Sequence, residues 1–256
     1  MVDLRGKVAL VTGSSQGIGR GCLVEMARCG ADAIVNYRSH PDEAEEVAEE
    51  IRSFGRKAIV VHADVAEREQ VDAMVAKGIA DLGHIDIVVA NAAISIRKPV
   101  LEMSLDDVKK TWNVCLWGVF HTLQSSIRHM VERGRGGKAL VISSVHAFIP
   151  FANSVAYNTA KAGMNNMALT FAEEMTPHKI NVNVIEPGWI DTPGERKYYP
   201  EETIKEDGAA LPWGRIGTIA DVGKPAAFIC SDAADYITGA VLRVDGGFWL
   251  PQRTVE

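Results

Sequence analysis

At residues 7–19 the chain reads Lys7-Val-Ala-Leu-Val-Thr-Gly-Ser-Ser-Gln-Gly-Ile-Gly19, an apolar run that ends in a glycine-rich turn. The run is typical of a buried strand, and the apolar positions after Gly19 recur at helical spacing. A glycine-rich turn from a strand to a helix lets backbone N–H groups approach a phosphate, which the positive end of the helix also attracts. The segment therefore predicts the opening of a dinucleotide-binding unit. The alternative is an ordinary strand-to-helix turn.

Six further apolar runs of strand length follow, at residues 33–36, 58–62, 85–89, 139–142, 180–185 and 241–244. Their near-continuous apolar character suits strands that are covered on both faces of a parallel sheet. Amphipathic helical stretches separate them, as at residues 41–54 and 67–82, and a capping box opens a long helix predicted for residues 104–132. This alternation predicts an α/β fold, namely one doubly wound, Rossmann-type domain over residues 1–256 with a seven-stranded parallel sheet and helices on both faces.

The stretch 188–218 interrupts this alternation. It contains Pro193, Pro200 and Pro212, and it leaves room for one short helix. A segment of this kind beyond the carboxyl end of a strand is a reasonable substrate lid, which we place at about residues 189–217. The alternative is an ordinary surface loop.

The composition excludes several classes of protein. With 27 Lys and Arg against 33 Asp and Glu, the net charge is −6, and the scattered basic residues argue against binding to nucleic acid. No apolar run approaches the roughly 18 residues that a membrane-spanning helix needs. The polar first residues lack the apolar stretch of a secretory signal. The four cysteines form no C-x-x-C pair, so we expect reduced thiols, no metal site and a cytoplasmic protein.

The end of the second predicted strand bears on which dinucleotide binds. A site that selects the non-phosphorylated cofactor usually has Asp or Glu there to bind the ribose 2′-hydroxyl. Here the chain continues Asn36-Tyr37-Arg38-Ser39. Without the acid nothing repels a 2′-phosphate, and the guanidinium of Arg38 is able to pair with it. We therefore expect NADP(H) to be preferred. If Arg38 is only a solvated surface charge, NAD(H) binds as well.

Tyr157 and Lys161 form the most informative pair of residues. At a spacing of four they share one face of a helix, one turn apart. A free tyrosine has a pKa of about 10, which makes it a poor base at neutral pH. A nearby ammonium favours the phenolate, and bringing that pKa close to neutrality requires roughly 3–4 kcal/mol. We expect Lys161 to lower the pKa of Tyr157 and so make the phenol an acid–base catalyst.

Two further polar positions fit the same site. The fifth predicted strand is followed by Ser143 and Ser144, at the sheet edge where open α/β folds bind ligands, so a hydroxyl there is placed to hydrogen-bond a substrate carbonyl. Asn113 lies within an otherwise apolar helical stretch, where a buried amide needs partners and is able to hold an ordered water. The alternative is a core Asn that its own surroundings satisfy.

The chain resembles the short-chain dehydrogenase/reductase family over essentially its whole length. The family's landmarks occur in order, as Thr12-Gly13-x-x-x-Gly17-Ile18-Gly19, Asp64-Val65, Asn91-Ala92, Asn113, Ser144, Tyr157-x-x-x-Lys161 and Pro187-Gly188-Trp189-Ile190-Asp-Thr192. The family's spacing between serine and tyrosine selects Ser144 over Ser143. The chain departs from the family at Ala90 and Ala93, where Asn and Gly are usual, and at Glu186, where a small or apolar residue is common.

The resemblance implies an enzyme that transfers hydride between the nicotinamide of its cofactor and a carbonyl or secondary alcohol. It implies that Tyr157 exchanges the proton, that Ser144 positions the carbonyl, and that Lys161 binds the nicotinamide ribose. It assigns to Asn113 a water that links Lys161 to solvent. The implied cofactor-binding residues are Gly13, Ser15, Gln16, Gly17, Ile18, Gly19, Tyr37, Arg38, Ser39, Asp64, Val65, Asn91, Ala92, Ala93, Tyr157, Lys161, Pro187, Gly188, Ile190 and Thr192.

The resemblance leaves the substrate open. Some segments look like bacterial glucose 1-dehydrogenases, and the overall pattern is equally similar to 3-oxoacyl-[acyl-carrier-protein] reductases. Besides Ser144, His146 and Trp189 are candidate substrate residues, with local packing as the alternative for each. The family also implies a homotetramer. The rival from another class is a catalytically silent dinucleotide-binding sensor or scaffold, which has no need of Tyr157.

Overall fold

The computed structural model describes residues 2–250, which form a seven-stranded sheet with helices on both faces. The strands are β1 (Val8–Val11), β2 (Asp32–Tyr37), β3 (Ala58–His62), β4 (Ile87–Ala90), β5 (Gly137–Ile142), β6 (Ile180–Pro187) and β7 (Val241–Val244). The helices are α1 (Gly17–Arg28), α2 (Pro41–Ser53), α3 (Arg68–Leu82), α4 (Leu105–Trp112), α5 (Gly118–Arg133), α6 (Val155–Met175), α7 (Glu201–Ala209) and α8 (Ile219–Ile229). All neighbouring strands are parallel, in the order β3-β2-β1-β4-β5-β6-β7, which confirms the predicted fold class. Of the domain span predicted as 1–256, residue 1 and residues 251–256 lie outside the described residues.

Both faces of the sheet are covered because the central strands are apolar throughout. In β1, Ala9 and Val11 belong to one hydrophobic core, whereas Val8 and Leu10 belong to a second core on the opposite face. Successive side chains of a strand point to opposite faces, so a strand without polar positions needs a helical layer on each side. Among the described residues, no helix has both the length and the apolar character needed to cross a membrane.

The strand order places a crevice beside β1. The chain passes from β1 to β2 on one side of the sheet and later returns to β4 on the other side of β1. In open parallel sheets, ligands bind beyond the carboxyl ends of the strands at such a reversal. The loops that follow β1, β4 and β5 therefore meet at one edge, where the candidate site lies.

The helix predicted for residues 104–132 is interrupted. It begins at the expected capping box of Ser104 and Asp107, becomes a π-helix over Asn113–Trp117, and resumes as α5. A π-turn holds more residues than an α-turn, so it changes which side chains face the sheet. The prediction was correct for the extent of the helix and missed this change of register.

The predicted lid, residues 189–217, contains α7 and a 3₁₀ turn at Glu195–Lys197, close to the single short helix expected. A parallel β-bridge joins Ile190 to Gly217, and the Asp191 N–H donates to the Gly217 carbonyl at 2.8 Å. The segment therefore leaves and re-enters the fold at one place. That geometry suits a lid, whose movement stays a prediction.

Candidate active site

The turn after β1 is shaped by glycines. Gly13 has φ +63° and Gly17 has φ +57°, a region that residues with a side chain rarely adopt. A Cβ at Gly13 would lie 3.1 Å from the Ala92 Cα, and one at Gly19 would lie 2.5 Å from Asn91 Nδ2. The turn thus packs directly on the loop after β4 and forms a cradle that a single added side chain would fill.

Two buried polar residues hold this cradle in place. The Gly13 N–H donates to Asn36 Oδ1 at 2.9 Å, and Asn36 Nδ2 donates to the Ala63 carbonyl at 3.1 Å. Thr12 Oγ1 accepts the Asn91 N–H at 3.0 Å, and Asn91 Nδ2 donates to the Thr12 carbonyl at 2.8 Å. Neither Asn36 nor Thr12 was among the predicted site residues. A polar side chain at the end of an apolar strand is the sequence signal that points to such a role.

The N-terminus of α1 follows the cradle, and its first backbone N–H groups are not capped by the Gln16 side chain. Gln16 is the N-cap residue, its side chain makes no capping hydrogen bond, and the first turn of α1 contains no acidic residue. The first N–H groups of a helix lack partners within the helix, and the helix dipole adds positive charge there. Together with the glycine cradle, these donors fit the pyrophosphate of a dinucleotide.

The predicted adenosine end of the site lies beyond β2 and β3. Arg38 Nη1 is 3.7 Å from Asp64 Oδ2, so these two residues share one edge of the sheet. Arg38 and Ser39 are exposed, Tyr37 is half-buried, and Val65 is buried. The structure therefore brings the residues expected around the adenosine to one end of the crevice.

The segment after β6 lies across the other end of the crevice. A Cβ at Gly188 would lie 2.7 Å from the Asp245 Cβ, which explains why only glycine suits this position. The Thr192 Cγ2 is 3.6 Å from the place that a Gly17 Cβ would occupy, so this segment passes the N-terminus of α1. Ile190 is buried.

Ser144, Tyr157 and Lys161 lie together at the carboxyl end of β5. Lys161 is 2% exposed, and its Nζ donates to the Ile142 carbonyl at 2.8 Å and lies 5.3 Å from the centroid of the Tyr157 ring. The Ser143 hydroxyl donates to the backbone carbonyl of Lys161 at 3.3 Å, so its proton is already used in a hydrogen bond. Ser144 Oγ accepts the His146 N–H at 3.2 Å. Of the two serines, Ser144 is the one whose hydroxyl lowers the pKa of Tyr157 by hydrogen bonding.

Burial shifts the pKa values of both reacting groups towards their neutral forms. It raises the pKa of Tyr157 above its ordinary value, and Cys115 and Glu195 add to this effect, while Arg97 and Ser144 oppose it. Burial also lowers the pKa of Lys161 from 10.5 to about 8. The lowered Tyr157 pKa expected from the sequence is therefore wrong for the protein alone, because desolvation outweighs the positive charge of Arg97 and the hydrogen bond of Ser144.

Asn113 does not join this group. It is exposed at the start of the π-segment, contrary to the buried amide that the sequence predicted. The polar π-segment side chain that reaches the site is Cys115, which is fully buried. Its Sγ accepts the Ile94 N–H at 3.3 Å and donates to the Ile94 carbonyl at 3.1 Å. A negative charge on Cys115 would raise the pKa values of both Tyr157 and Lys161. The thiol thus ties the loop after β4 to the helix beside Lys161.

The candidate substrate residues His146 and Trp189 pack against different tyrosine rings. The His146 ring meets the Tyr157 ring edge-on, with centroids 5.1 Å apart, and Trp189 meets Tyr199 in the same way at 5.3 Å. Arg97, which the sequence did not single out, also lies near enough for its charge to act on Tyr157. It follows β4 in an irregular loop without a periodic pattern, so only the fold reveals its position.

Within residues 2–250, no group of three or more His, Cys, Asp or Glu side chains is arranged to hold a metal ion. All four cysteines are free thiols, and Cys29 is the one that is not buried.

Comparison with known proteins agrees with this geometry. A family model described as Enoyl-(Acyl carrier protein) reductase matches residues 13–249. L-rhamnose 1-dehydrogenase (NAD(P)(+)) from Sphingomonas sp. is 35% identical, over 96% of this chain and 98% of its own. Glucose 1-dehydrogenase 2 from Bacillus subtilis is 36% identical, over 99% of both chains. A gluconate 5-dehydrogenase from Burkholderia cenocepacia, solved in complex with NADP and tartrate, superposes with a TM-score of 0.91 at 31% identity and 98% coverage of both chains.

A family match over most of the chain, together with full-length relatives above 30% identity, settles the classification. The gluconate 5-dehydrogenase shares the fold of this chain and was solved with NADP, and the L-rhamnose 1-dehydrogenase is named for its use of NAD(P)(+). The chain therefore belongs to the short-chain dehydrogenase/reductase family and is an NAD(P)-dependent oxidoreductase.

Proposed function

We propose that this enzyme prefers NADP(H) and interconverts a secondary alcohol and a carbonyl, with Tyr157 as the general acid–base. The observation that carries the proposal is that Ser144, Tyr157 and Lys161 lie together at the carboxyl end of β5, the same edge of the sheet as the glycine cradle after β1. Two hydroxyls and an amine that converge next to a dinucleotide cradle suit proton exchange with an oxygen whose carbon exchanges hydride.

The bound nicotinamide supplies the hydride acceptor or donor for this chemistry. In the oxidation direction, the substrate hydroxyl gives its proton to the phenolate form of Tyr157, which becomes the neutral phenol, while the Ser144 hydroxyl holds the substrate oxygen. Lys161 has one strong protein partner, the Ile142 carbonyl, so its other N–H groups are available to ribose hydroxyls. A charged Lys161 favours the phenolate, in opposition to the burial that raises the Tyr157 pKa.

The rate of NADPH formation or loss, followed by its absorbance, tests this function. The substrates are aldoses, sugar acids and polyols, with 3-oxoacyl thioesters, steroids and simple ketones as the contrasting set. The relatives that act on rhamnose and glucose favour a polyhydroxylated substrate over an acyl thioester. Tight binding of NADPH with no turnover of any alcohol or carbonyl would favour the silent sensor or scaffold and overturn the proposal.

Arg38→Ala is expected to weaken NADPH binding by about 10-fold or more and to change NADH binding by less than about twofold. The guanidinium is exposed just after β2, and its 3.7 Å pairing of Nη1 with Asp64 Oδ2 leaves its other N–H groups to a 2′-phosphate. Isothermal titration calorimetry with NADPH and with NADH measures the two affinities.

Lys57→Ala is the control for Arg38→Ala. Lys57 is also an exposed cation, but it precedes the start of β3, whereas Arg38 follows the end of β2. It should leave both affinities unchanged. An equal loss for NADPH and NADH in Arg38→Ala, or no loss, means that Arg38 is a surface charge and that both cofactors bind.

We also propose a cytoplasmic homotetramer. Apolar side chains remain uncovered on two neighbouring elements, Val155 and Leu169 on α6 and Val241 and Leu242 on the edge strand β7. Exposed apolar patches and open sheet edges are typical of subunit interfaces. Light scattering is expected to give about four times the chain mass of 27.7 kDa. A mass near that of one chain contradicts assembly.

A further inference from the structure

Arg97 lies in the loop between β4 and α4, and its guanidinium packs against two aromatic rings of the predicted lid. The guanidinium carbon is 4.1 Å from the centroid of the Tyr198 ring and 5.7 Å from that of Tyr199. The positive charge of Arg97 also lowers the pKa values of both Tyr157 and His146, so it acts on the reacting hydroxyl.

The hydrogen bonds of this guanidinium are incomplete. Nη2 donates to Glu195 Oε1 at 3.0 Å, and Nη1 donates to the Tyr199 hydroxyl at a long 3.4 Å. Nε is buried and has no partner. A guanidinium carries five N–H donors, and a buried donor that lacks an acceptor is costly, more so when the group is charged. An acceptor supplied by a ligand would remove this cost.

Every protein partner of Arg97 named above belongs to the predicted lid. Glu195, Tyr198 and Tyr199 lie in or next to its 3₁₀ turn. A displacement of the lid would therefore remove the partners of Nη1 and Nη2 and leave the guanidinium to a ligand. A substrate carboxylate matches the planar fork of arginine and is able to take the place of the Glu195 carboxylate.

His146 offers a hydrogen-bond acceptor beside Tyr157, with the two ring centroids 5.1 Å apart. Asn158 Nδ2 donates to the Phe151 carbonyl at 2.9 Å, which orients Asn158 Oδ1 towards His146 Nδ1 at 2.6 Å. Because Oδ1 only accepts, Nδ1 carries the proton. Burial lowers the pKa of His146 and keeps the ring neutral, so Nε2 is an acceptor for a hydroxyl.

We infer that the substrate is a polyhydroxylated carboxylate, a sugar acid, whose carboxylate binds Arg97 and whose neighbouring hydroxyl donates to His146. The inference rests on the proposed oxidoreductase function and narrows its substrate class. The secondary alcohol at Tyr157 and Ser144 then loses hydride to the nicotinamide and its proton to Tyr157, and it becomes the keto acid. The carboxylate itself is unchanged.

Matched pairs of substrates test this class. Each pair has the same carbon chain and differs only in a carboxylate against a CH₂OH group: D-gluconate and D-glucitol, D-galactonate and D-galactitol, glycerate and glycerol. At least one acid is expected to have a kcat/KM at least about 10-fold above that of its neutral partner. Calorimetric titration of the same compounds into the enzyme saturated with NADPH, which cannot accept a hydride from an alcohol, gives binding without turnover.

Arg97→Gln identifies the residue responsible. It is expected to lower kcat/KM for the acid by about 100-fold and to leave the neutral partner within about threefold. Arg97→Lys should restore part of the loss. Lys98→Gln is the matched control, since the neighbouring Lys98 pairs with Asp107 at 2.7 Å and not with the lid.

Three results would overturn the inference. They are a preference for neutral partners throughout, an equal loss for both members of a pair in Arg97→Gln, and turnover of other alcohols with no acid bound or oxidised. In each of these cases the oxidoreductase function still stands. Failure to turn over any substrate with either cofactor would instead refute the proposed function itself.

Discussion

Changing Tyr157 to phenylalanine is expected to lower kcat by about 10³-fold and to leave the NADPH affinity within about threefold of wild type. The change removes the hydroxyl that exchanges a proton with the substrate, and general acid–base catalysis typically contributes about 10²–10⁴-fold. The phenyl ring keeps its edge-on contact with His146, so the pocket retains its shape. Initial rates from NADPH absorbance and a fluorescence titration of NADPH measure the two quantities.

Tyr236→Phe is the matched control, because Tyr236 is fully exposed and lies outside the site. Its kinetic constants should equal those of the wild type. If Tyr157→Phe retains more than about a tenth of the wild-type kcat, another group supplies the proton. A parallel loss of NADPH affinity would show that the hydroxyl serves cofactor binding instead.

Changing Lys161 to methionine is expected to abolish turnover and, in the same variant, to stabilise the cofactor-free protein at pH 7. Burial lowers the pKa of Lys161 from 10.5 to about 8, so folding weakens the binding of its proton. That difference corresponds to roughly 3 kcal/mol of unfavourable free energy. Losing the hydrogen bond from the charged amine to the Ile142 carbonyl costs about 2 kcal/mol, which leaves a net gain of about 1 kcal/mol.

The expected gain depends on pH in a defined direction. Between about pH 8 and pH 10.5 the unfolded chain holds more protons at Lys161 than the folded chain, so the wild-type free energy of unfolding rises with pH relative to that of the variant. The stabilisation is therefore complete below pH 8 and disappears above pH 10.5. Denaturant unfolding of both proteins at pH 7 and pH 10.5 measures it. An equal gain at both pH values would assign the effect to packing, and no gain at pH 7 would contradict a buried charge.

The predicted strands and glycine turn agree closely with the structure. The seven predicted apolar runs correspond to β1 to β7, with ends that differ by a few residues. They could be recognised because strands covered on both faces of a parallel sheet are near-continuous apolar runs. Gly13 and Gly17 could be identified from the sequence since their role depends on local backbone conformation. Tyr157 and Lys161 share a face because four residues make about one helical turn.

The role that the family resemblance implied for Asn113 is the part of the site where the structure differs from the prediction. Asn113 is exposed, whereas Cys115 is buried, as is Thr111 one helical turn before it. Residues two apart point to nearly opposite sides of a helix, so a helix that buries Cys115 turns Asn113 towards solvent. The tertiary contacts of Cys115 with Ile94 show which of the two side chains reaches the core.

By itself, the sequence determined the order of the elements, the phosphate turn and the pair Tyr157 and Lys161, because each depends on residues that are close along the chain. Only the tertiary structure decided which distant side chains surround Tyr157. Arg97 meets Tyr199 across 102 positions of sequence, and Cys115 meets Ile94 across 21. Such contacts depend on how loops fold over the sheet edge, where no repeating pattern of apolar residues constrains them. The repeating apolar pattern therefore makes the sheet predictable, whereas the substrate pocket depends on how its loops pack.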